Sequence, residues 1–373
     1  GSMPLDAPVE ALMSSPVITV PPAVTVADVQ IQMVRHRIHH LCITEDGTAE
    51  SPVVGVLSEH DLLVIQGNNP AILVREIQKS HTPRELAAIR EKAEALLRKY
   101  IFQEVAIAFI STVMTEINDA ITRRALEMAI AELEAAGRSL PDVPFCWMAL
   151  GSLGREEQLL RTDQDNALVY ADVPEAEEEA VNAYFLELAV KVTHTLDQAG
   201  FEYCPAEMMA SNPQWCQSLS NWKDQFGRWI QQPDERAIMY CTIFFDYRPV
   251  YGDESLTEEL STHIFEAIEA RSIFLNFLAK NALQNPPPLS FFRNFVVERG
   301  GEHKDEFDIK KRAMMPLADA ARTLMLEKRI PTINNTFRRF DRLAELEPQN
   351  RELFQAASDA YEILMRYRSL KGL

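Results

Sequence analysis

The stretch Phe145-Cys146-Trp147-Met148-Ala149-Leu150-Gly151-Ser152-Leu153-Gly154-Arg155-Glu156-Glu157-Gln158 leads to Thr162-Asp163-Gln164-Asp165-Asn166-Ala167-Leu168-Val169-Tyr170. An apolar, strand-like run enters Gly-Ser. A short helical turn follows, then two acids two residues apart, then a second strand-like run. On an extended backbone Asp163 and Asp165 project to the same side, with α-carbons about 7 Å apart. A lone D-x-D is common on surfaces. The ordered combination with strand and Gly-Ser is far more specific.

The pattern suits chemistry on a nucleoside triphosphate. Displacing pyrophosphate needs divalent metals that clamp the phosphates and activate the attacking oxygen. Magnesium, or manganese, prefers hard oxygen ligands such as carboxylates. Two ions of such a clamp lie about 3.5–4 Å apart, within the span of two flexible carboxylates. Gly151 lets the backbone approach a phosphate, and the Ser152 hydroxyl can donate to it. Arg155 is a further candidate phosphate contact. Asp246 lies in the apolar run Ile243-Phe244-Phe245-Asp246-Tyr247, read as another strand through Arg248. Its carboxylate is costly to bury alone. It either pairs with Arg248 or another cation, or serves as a third metal ligand or general base.

The remainder of the chain frames this segment. Its 373 residues suffice for two or three domains. The formal net charge of −18 argues against sequence-independent nucleic-acid binding, which needs a basic surface. Cys42, Cys146, Cys204, Cys216 and Cys241 are scattered without a C-x-x-C pair, as expected of a reducing cytoplasm. No apolar run has membrane-spanning length, and the opening residues lack a signal-peptide pattern. Gly1-Ser2 ahead of Met3 reads as a tag-cleavage scar, which leaves room for a longer natural chain.

The expected fold class is α+β and multi-domain. Residues 1–80 form a small α/β unit, with strands at Val17-Ile18-Thr19-Val20, Leu41-Cys42-Ile43 and Val53-Val54-Gly55-Val56-Leu57. Thr25 caps a first helix, Asp46-Gly47 marks a turn, and Ser58 caps a second helix. Residues 81–140 are a helical connector, opened by Thr82-Pro83-x-Glu85 and closed by Gly137. Residues 141–254 alternate strand and helix, including an amphipathic helix over 175–199 ended by Gly200. Residues 255–373 are helical, broken by Pro286-Pro287-Pro288 and by a polar stretch over 298–308.

From about residue 82 onward the chain resembles bacterial nucleotidyltransferases related to the catalytic portion of protein-PII uridylyltransferase. The resemblance rests on Gly151-Ser152-x-Gly154-Arg155-x-Glu157-Gln158 and Thr162-Asp163-Gln164-Asp165-Asn166. It continues through Met209-Ala210-Ser211-Asn212-Pro213-x-Trp215 and Phe244-Phe245-Asp246-x-Arg248-Pro249-Val250-x-Gly252-Asp253, to Asp308-Ile309-Lys310-Lys311. It implies a polymerase-β-like mixed sheet with Asp163, Asp165 and Asp246 as the metal-binding triad. Gly151 and Ser152 would hold the triphosphate, and the C-terminal helical bundle would be a substrate-binding domain. Lys310 or Lys311 either opens a solvated helix or reaches the phosphates; His303 and Lys304 lie in a polar loop that could order on substrate. His60-Asp61 is the only His-Asp dipeptide, and no room remains for amino-acid-sensing domains. The resemblance therefore supports the transfer chemistry better than PII as its acceptor.

Residues 9–80 resemble a cystathionine-β-synthase (CBS) motif, carried by Leu12-Met13-Ser14, His39-His40-Leu41 and Gly55-Val56-Leu57-Ser58-Glu59-His60-Asp61-Leu62-Leu63. The resemblance implies AMP or ATP binding, with Ser58 meeting phosphate and Asp61 the ribose. Such motifs work in pairs, so the partner motif either lies upstream in a longer natural chain or comes from a second copy; a homodimer through this unit is expected, with or without ligand. His36, His39 and His40 read as ordinary strand-edge residues.

Two functions follow as expectations. One is a magnesium-dependent enzyme moving a nucleoside monophosphate to a protein or small-molecule acceptor, adjusted by adenine nucleotides. The other is a non-catalytic, dimeric adenine-nucleotide sensor. Neither involves nucleic acid or membrane.

Overall fold

The computed structural model describes residues 8, 13, 15–36, 38–58, 61–62, 70–159, 163–284, 308–331 and 333–372. It divides into two compact units, Gly1–Ile72 and Leu73–Leu373.

The first unit holds β1 (Thr19–Val20), α1 (Val26–His36), β2 (His40–Thr44) and β3 (Val53–Ser58). The sheet order is β1-β2-β3, with β1 and β2 parallel and β2 and β3 antiparallel. Thr25 starts α1, its Oγ1 accepting the Asp28 N–H at 3.2 Å. Val29 and Met33, one helical turn apart, bury against Val20, Leu41 and Leu62.

Helix α2 (Pro70–Lys79) spans the division between the units. α3 (Pro83–Phe102) opens with the expected capping box: Thr82 and Glu85 each satisfy the other's backbone N–H. α4 (Ile107–Ala135) ends at Gly137, which takes a left-handed φ of 80°. Then follow β4 (Phe145–Ala149), the single turn α5 (Gly151–Gly154), β5 (Asn166–Tyr170) and α6 (Glu175–Gln198). β6 (Cys216–Ser218), α7 (Leu219–Gln231), α8 (Glu235–Phe244) and β7 (Arg248–Gly252) complete the mixed sheet. Its order is β6-β5-β4-β7; β4 is antiparallel to both neighbours and β5 parallel to β6. The C-terminal helices are α9 (Ser255–Ala270), α10 (Ile273–Gln284), a π turn (Lys310–Met314), α11 (Met315–Glu327), α12 (Thr336–Leu346) and α13 (Arg351–Gly372). None of the described helices is long and apolar enough to cross a membrane.

Every residue of β4 and β5 is buried, because both faces of the sheet are covered. Cys146, Met148, Ala167 and Val169 pack with the aromatic cluster of Trp215, Trp222, Trp229, Tyr240 and Phe244. On the other face Phe145 and Tyr170 lie 5.1 and 5.2 Å from the Phe185 ring of α6.

The strand expected over 243–248 is a correction. Residues through Phe244 belong to α8, whose start Asp234 caps by accepting the Ala237 N–H at 2.7 Å. Ala237, Tyr240, Cys241 and Phe244 recur at helical spacing and bury into the aromatic cluster. Asp246 therefore sits in the turn between α8 and β7.

Candidate active site

β4 delivers the chain to Gly151, whose φ of 53° is left-handed. Glycine adopts this conformation without strain. A Cβ placed there would stand 3.1 Å from Asp165 Oδ2, so the Gly151 backbone faces that carboxylate directly. The Leu150 N–H donates to the Asp165 carbonyl at 3.0 Å and ties the turn to the acidic segment.

The alternation expected of D-x-D is present. Asp163 and Asp165 are half-buried, whereas Gln164 and Asn166 are buried. Gln164 Nε2 donates to the carbonyls of Thr193 and Phe201, at 3.0 and 3.1 Å. Asn166 Oδ1 accepts the Ala210 N–H at 2.8 Å. The inward amides anchor the segment and leave both acids on the opposite side.

Asp163, Asp165 and Cys204 bring ligand atoms within 4.8 Å of one another. Burial and the Asp163 charge push the Asp165 carboxyl up to about 6, against a thiol hydrogen bond from Cys204 and the charges of Lys310 and Arg155. Burial pushes the Cys204 thiol up to about 11, so it remains a neutral donor at pH 7. A protonated thiol is a poor ligand, and two carboxylates suit a hard cation. The donor set therefore fits magnesium or manganese on Asp163 and Asp165, with Cys204 orienting Asp165 from behind.

Asp246, expected as a third metal ligand or as the partner of a cation, lies outside this group and has cation partners. Its side chain is fully buried and gripped by three arginines. Arg322 Nε and Nη2 reach its two oxygens at 2.9 and 2.5 Å, Arg339 Nη2 lies at 2.8 Å, and Arg155 Nη1 at 2.9 Å. Burial alone would raise its carboxyl; the three guanidiniums hold it well below the ordinary carboxylate range. An oxygen pair already accepting four strong donors has little capacity left for a cation. Its other expected partner, Arg248, instead makes a bidentate pair with Asp119 of α4, at 2.8 and 2.9 Å.

Arg155, expected as a phosphate contact, is held by two carboxylates. Its Nε donates to Glu157 at 2.9 Å and its Nη1 to Asp246. Glu157 in turn accepts the Tyr361 hydroxyl at 2.7 Å and the Thr336 N–H at 2.6 Å. Asn335 Nδ2 donates to the Arg155 carbonyl at 3.0 Å. The residues after Gly-Ser thus form a buried polar clasp with α11, α12 and α13. Gly154 is required within it, because a Cβ would fall 1.9 Å from the Asp246 carbonyl oxygen.

Ser152 is half-buried and lines a small cavity with Gln158, Met314 and Met365. Lys310 is exposed at the start of the π turn, close enough for its charge to act on Asp165. His303 and Lys304 lie outside the described residues. In the first unit Ser58 and Asp61 face each other: Ser58 Oγ donates to Asp61 Oδ2 at 2.7 Å, and the Asp61 N–H returns to Ser58 Oγ at 3.1 Å. This is a capping arrangement at the helix start expected there.

Residues 91–236 match the family described as "Putative nucleotidyltransferase DUF294". Residues 272–373 match "Putative nucleotidyltransferase substrate binding domain". The chain thus carries a segment similar to the DUF294 family, followed by a segment similar to its substrate-binding domain. Residues 9–67 match the CBS domain, as the motif resemblance implies. No curated protein matches the chain.

Within this DUF294 framework, the α11–α13 side of the clasp falls in the segment matched as substrate-binding domain, and Arg155 and Glu157 in the nucleotidyltransferase match. Two features of the site escaped sequence reading. Cys204 carries no local motif and meets Asp165 only through the fold. Tyr361 lies 204 residues from its partner Glu157, and only its place among apolar helix positions marked it as buried.

Proposed function

We propose that this chain moves a nucleoside monophosphate from a nucleoside triphosphate to a hydroxyl of a protein or small molecule, breaking the α–β phosphoanhydride bond with release of pyrophosphate and the hydroxyl proton, with magnesium or manganese that Asp163 and Asp165 would hold. The observation that carries this reading is the convergence of the two carboxylates beside the left-handed Gly151 turn. A bound divalent ion supplies charge neutralisation at the phosphates and activation of the attacking oxygen. The chain's own groups do the rest. Gly151 opens room for a phosphate next to Asp165, and the Ser152 hydroxyl donates to it. Cys204 fixes the orientation of Asp165. Lys310 offsets negative charge at the mouth of the site. Asp246, Arg155 and Glu157 position this machinery without touching the reacting atoms.

The relation to protein-PII uridylyltransferase extends to the chemistry, and the acceptor is left to experiment. The first unit is the proposed regulatory module, with AMP or ATP at Ser58 and Asp61. Val53, Val54 and Val56 of β3 are more than half exposed, which supports pairing of two copies through this unit. A thermal-shift panel of adenine nucleotides on wild type and Asp61→Ala tests the ligand.

The deciding experiment supplies labelled ATP, UTP, GTP and CTP with magnesium and host lysate. Labelling is expected with one preferred nucleotide and is expected to vanish in Asp163→Asn/Asp165→Asn. Equal labelling by that double variant would sink the assignment.

A further inference from the structure

Helix α13 is turned toward the catalytic segment by Tyr361, whose hydroxyl is fixed on Glu157 at 2.7 Å. Met365 and Ser369 continue the same buried face. Arg368 stands seven residues after Tyr361, so it lies near that face about 10 Å further along the axis. There it lines the small cavity shared with Ser152, Glu157, Gln158, Met314 and Met365, the Glu157 carboxylate being already engaged by Arg155, Tyr361 and the Thr336 N–H.

The Arg368 guanidinium is half-buried. Yet among the described residues it makes no hydrogen bond or ion pair. This sets it apart from the arginines of the clasp, each of which holds a carboxylate. A guanidinium withdrawn from water without an anion is costly, and such a group is a natural receiver for one. Asp163 and Asp308 are among its charged neighbours and Arg155 repels it. Neither acid closes on it. The planar fork of arginine matches two oxygens of a phosphate. A triphosphate next to Asp163 and Asp165 also meets two negative side chains, which a cation on the opposite side would balance.

We propose that Arg368 is a ligand of the substrate triphosphate, so that the last helix of the chain completes the site begun by Ser152 and the carboxylate pair. The proposal rests on the nucleotidyl-transfer reading above. It gives α13 a direct part in nucleotide binding, in addition to its clasp contact through Tyr361.

The test uses the full chain, with inorganic tripolyphosphate and the preferred nucleoside triphosphate titrated calorimetrically in the presence of magnesium. Arg368→Ala should weaken both about ten- to a hundredfold, the range of a charge-assisted contact. It should raise KM more than it lowers kcat, with an unchanged thermal midpoint for the unliganded protein. Arg368→Lys should recover part of the affinity; Arg368→Gln serves if the alanine variant fails to fold. A folded Arg368→Ala or Arg368→Gln that binds tripolyphosphate as wild type does overturns the proposal. If that happens while Asp163→Asn/Asp165→Asn still abolishes transfer, the nucleotidyl-transfer reading stands alone. If wild type binds no triphosphate, both fall together.

Discussion

Arg322 grips Asp246 with two parallel hydrogen bonds, Nε to Oδ1 at 2.9 Å and Nη2 to Oδ2 at 2.5 Å, across 76 residues of chain. The Asp246 carboxylate, near the start of the motif over 244–253, is thus the keystone of a junction between the mixed sheet and the C-terminal helices. Its energetics resemble those of a buried ion pair rather than of a metal ligand.

Asp246→Asn is therefore expected to destabilise the second unit by about 3–5 kcal/mol, since buried guanidiniums lose their counter-charge. Asp163→Asn is expected to leave stability nearly unchanged and to lower transfer by about a hundredfold or more. Urea unfolding beside a transfer assay separates the two. Equal stability of both variants would contradict the clasp.

The same ion pairs predict an acid limb. The Asp246 carboxyl is depressed in the folded state, so its stabilisation is present above the unfolded value of 3.8 and is lost as pH falls below it. Wild type should lose stability progressively from about pH 4 downward, and Asp246→Asn should show a flatter slope there. Unfolding midpoints between pH 5 and pH 2 measure it.

Asp165 has the opposite sign. Its folded carboxyl is raised to about 6 from 3.8, so ionising it costs stability, in full above about pH 6 and not at all below the unfolded value. Without divalent cations, Asp165→Asn should be more stable than wild type by up to about 3 kcal/mol at pH 7.5, and the gain should fade between pH 6 and pH 4. Magnesium should stabilise wild type and have little effect on the variant. Thermal unfolding with and without chelator reads both.

Cys204 donates to Asp165 and is held as a thiol, with its ionisation pushed up to about 11. Cys204→Ala should weaken magnesium activation about ten- to a hundredfold, the usual loss when a residue behind a ligand is removed. Cys204→Ser, which keeps a donor, should retain more. In the native protein Cys204 should resist alkylation at pH 8, because the reactive thiolate is scarce. Magnesium titration of activity and peptide mapping after iodoacetamide decide these points.

Tyr361→Phe removes one hydrogen bond to a buried carboxylate and should cost about 1–3 kcal/mol. Glu157 keeps Arg155 and the Thr336 N–H, so the fold should survive. Chemical denaturation is the check.

Much of the architecture was legible because it is written in local chemistry. The Thr82 box, the Gly137 and Gly200 stops and the two buried strands around Gly-Ser all depend on residues a few positions apart. The run at 243–247 misled because short apolar stretches suit a strand or a buried helix end equally. Asp234, nine residues before Ile243, was the overlooked start signal. Asp246 misled for a different reason. A buried acid needs a partner, and the sequence lists many cations without saying which of them the fold delivers.

For this protein, then, the amino-acid sequence alone determined the domain order, the CBS and nucleotidyltransferase families and the paired placement of Asp163 and Asp165, because side-chain alternation on an extended backbone needs no distant partner. Only the tertiary structure decided the roles of the remaining charges. It turned Arg155 and Asp246 from site candidates into a clasp, placed Cys204 behind Asp165 and brought Arg368 to Ser152. Burial and ion pairing depend on chain segments that meet only after folding, and their strength is set by the desolvation that the folded interior imposes.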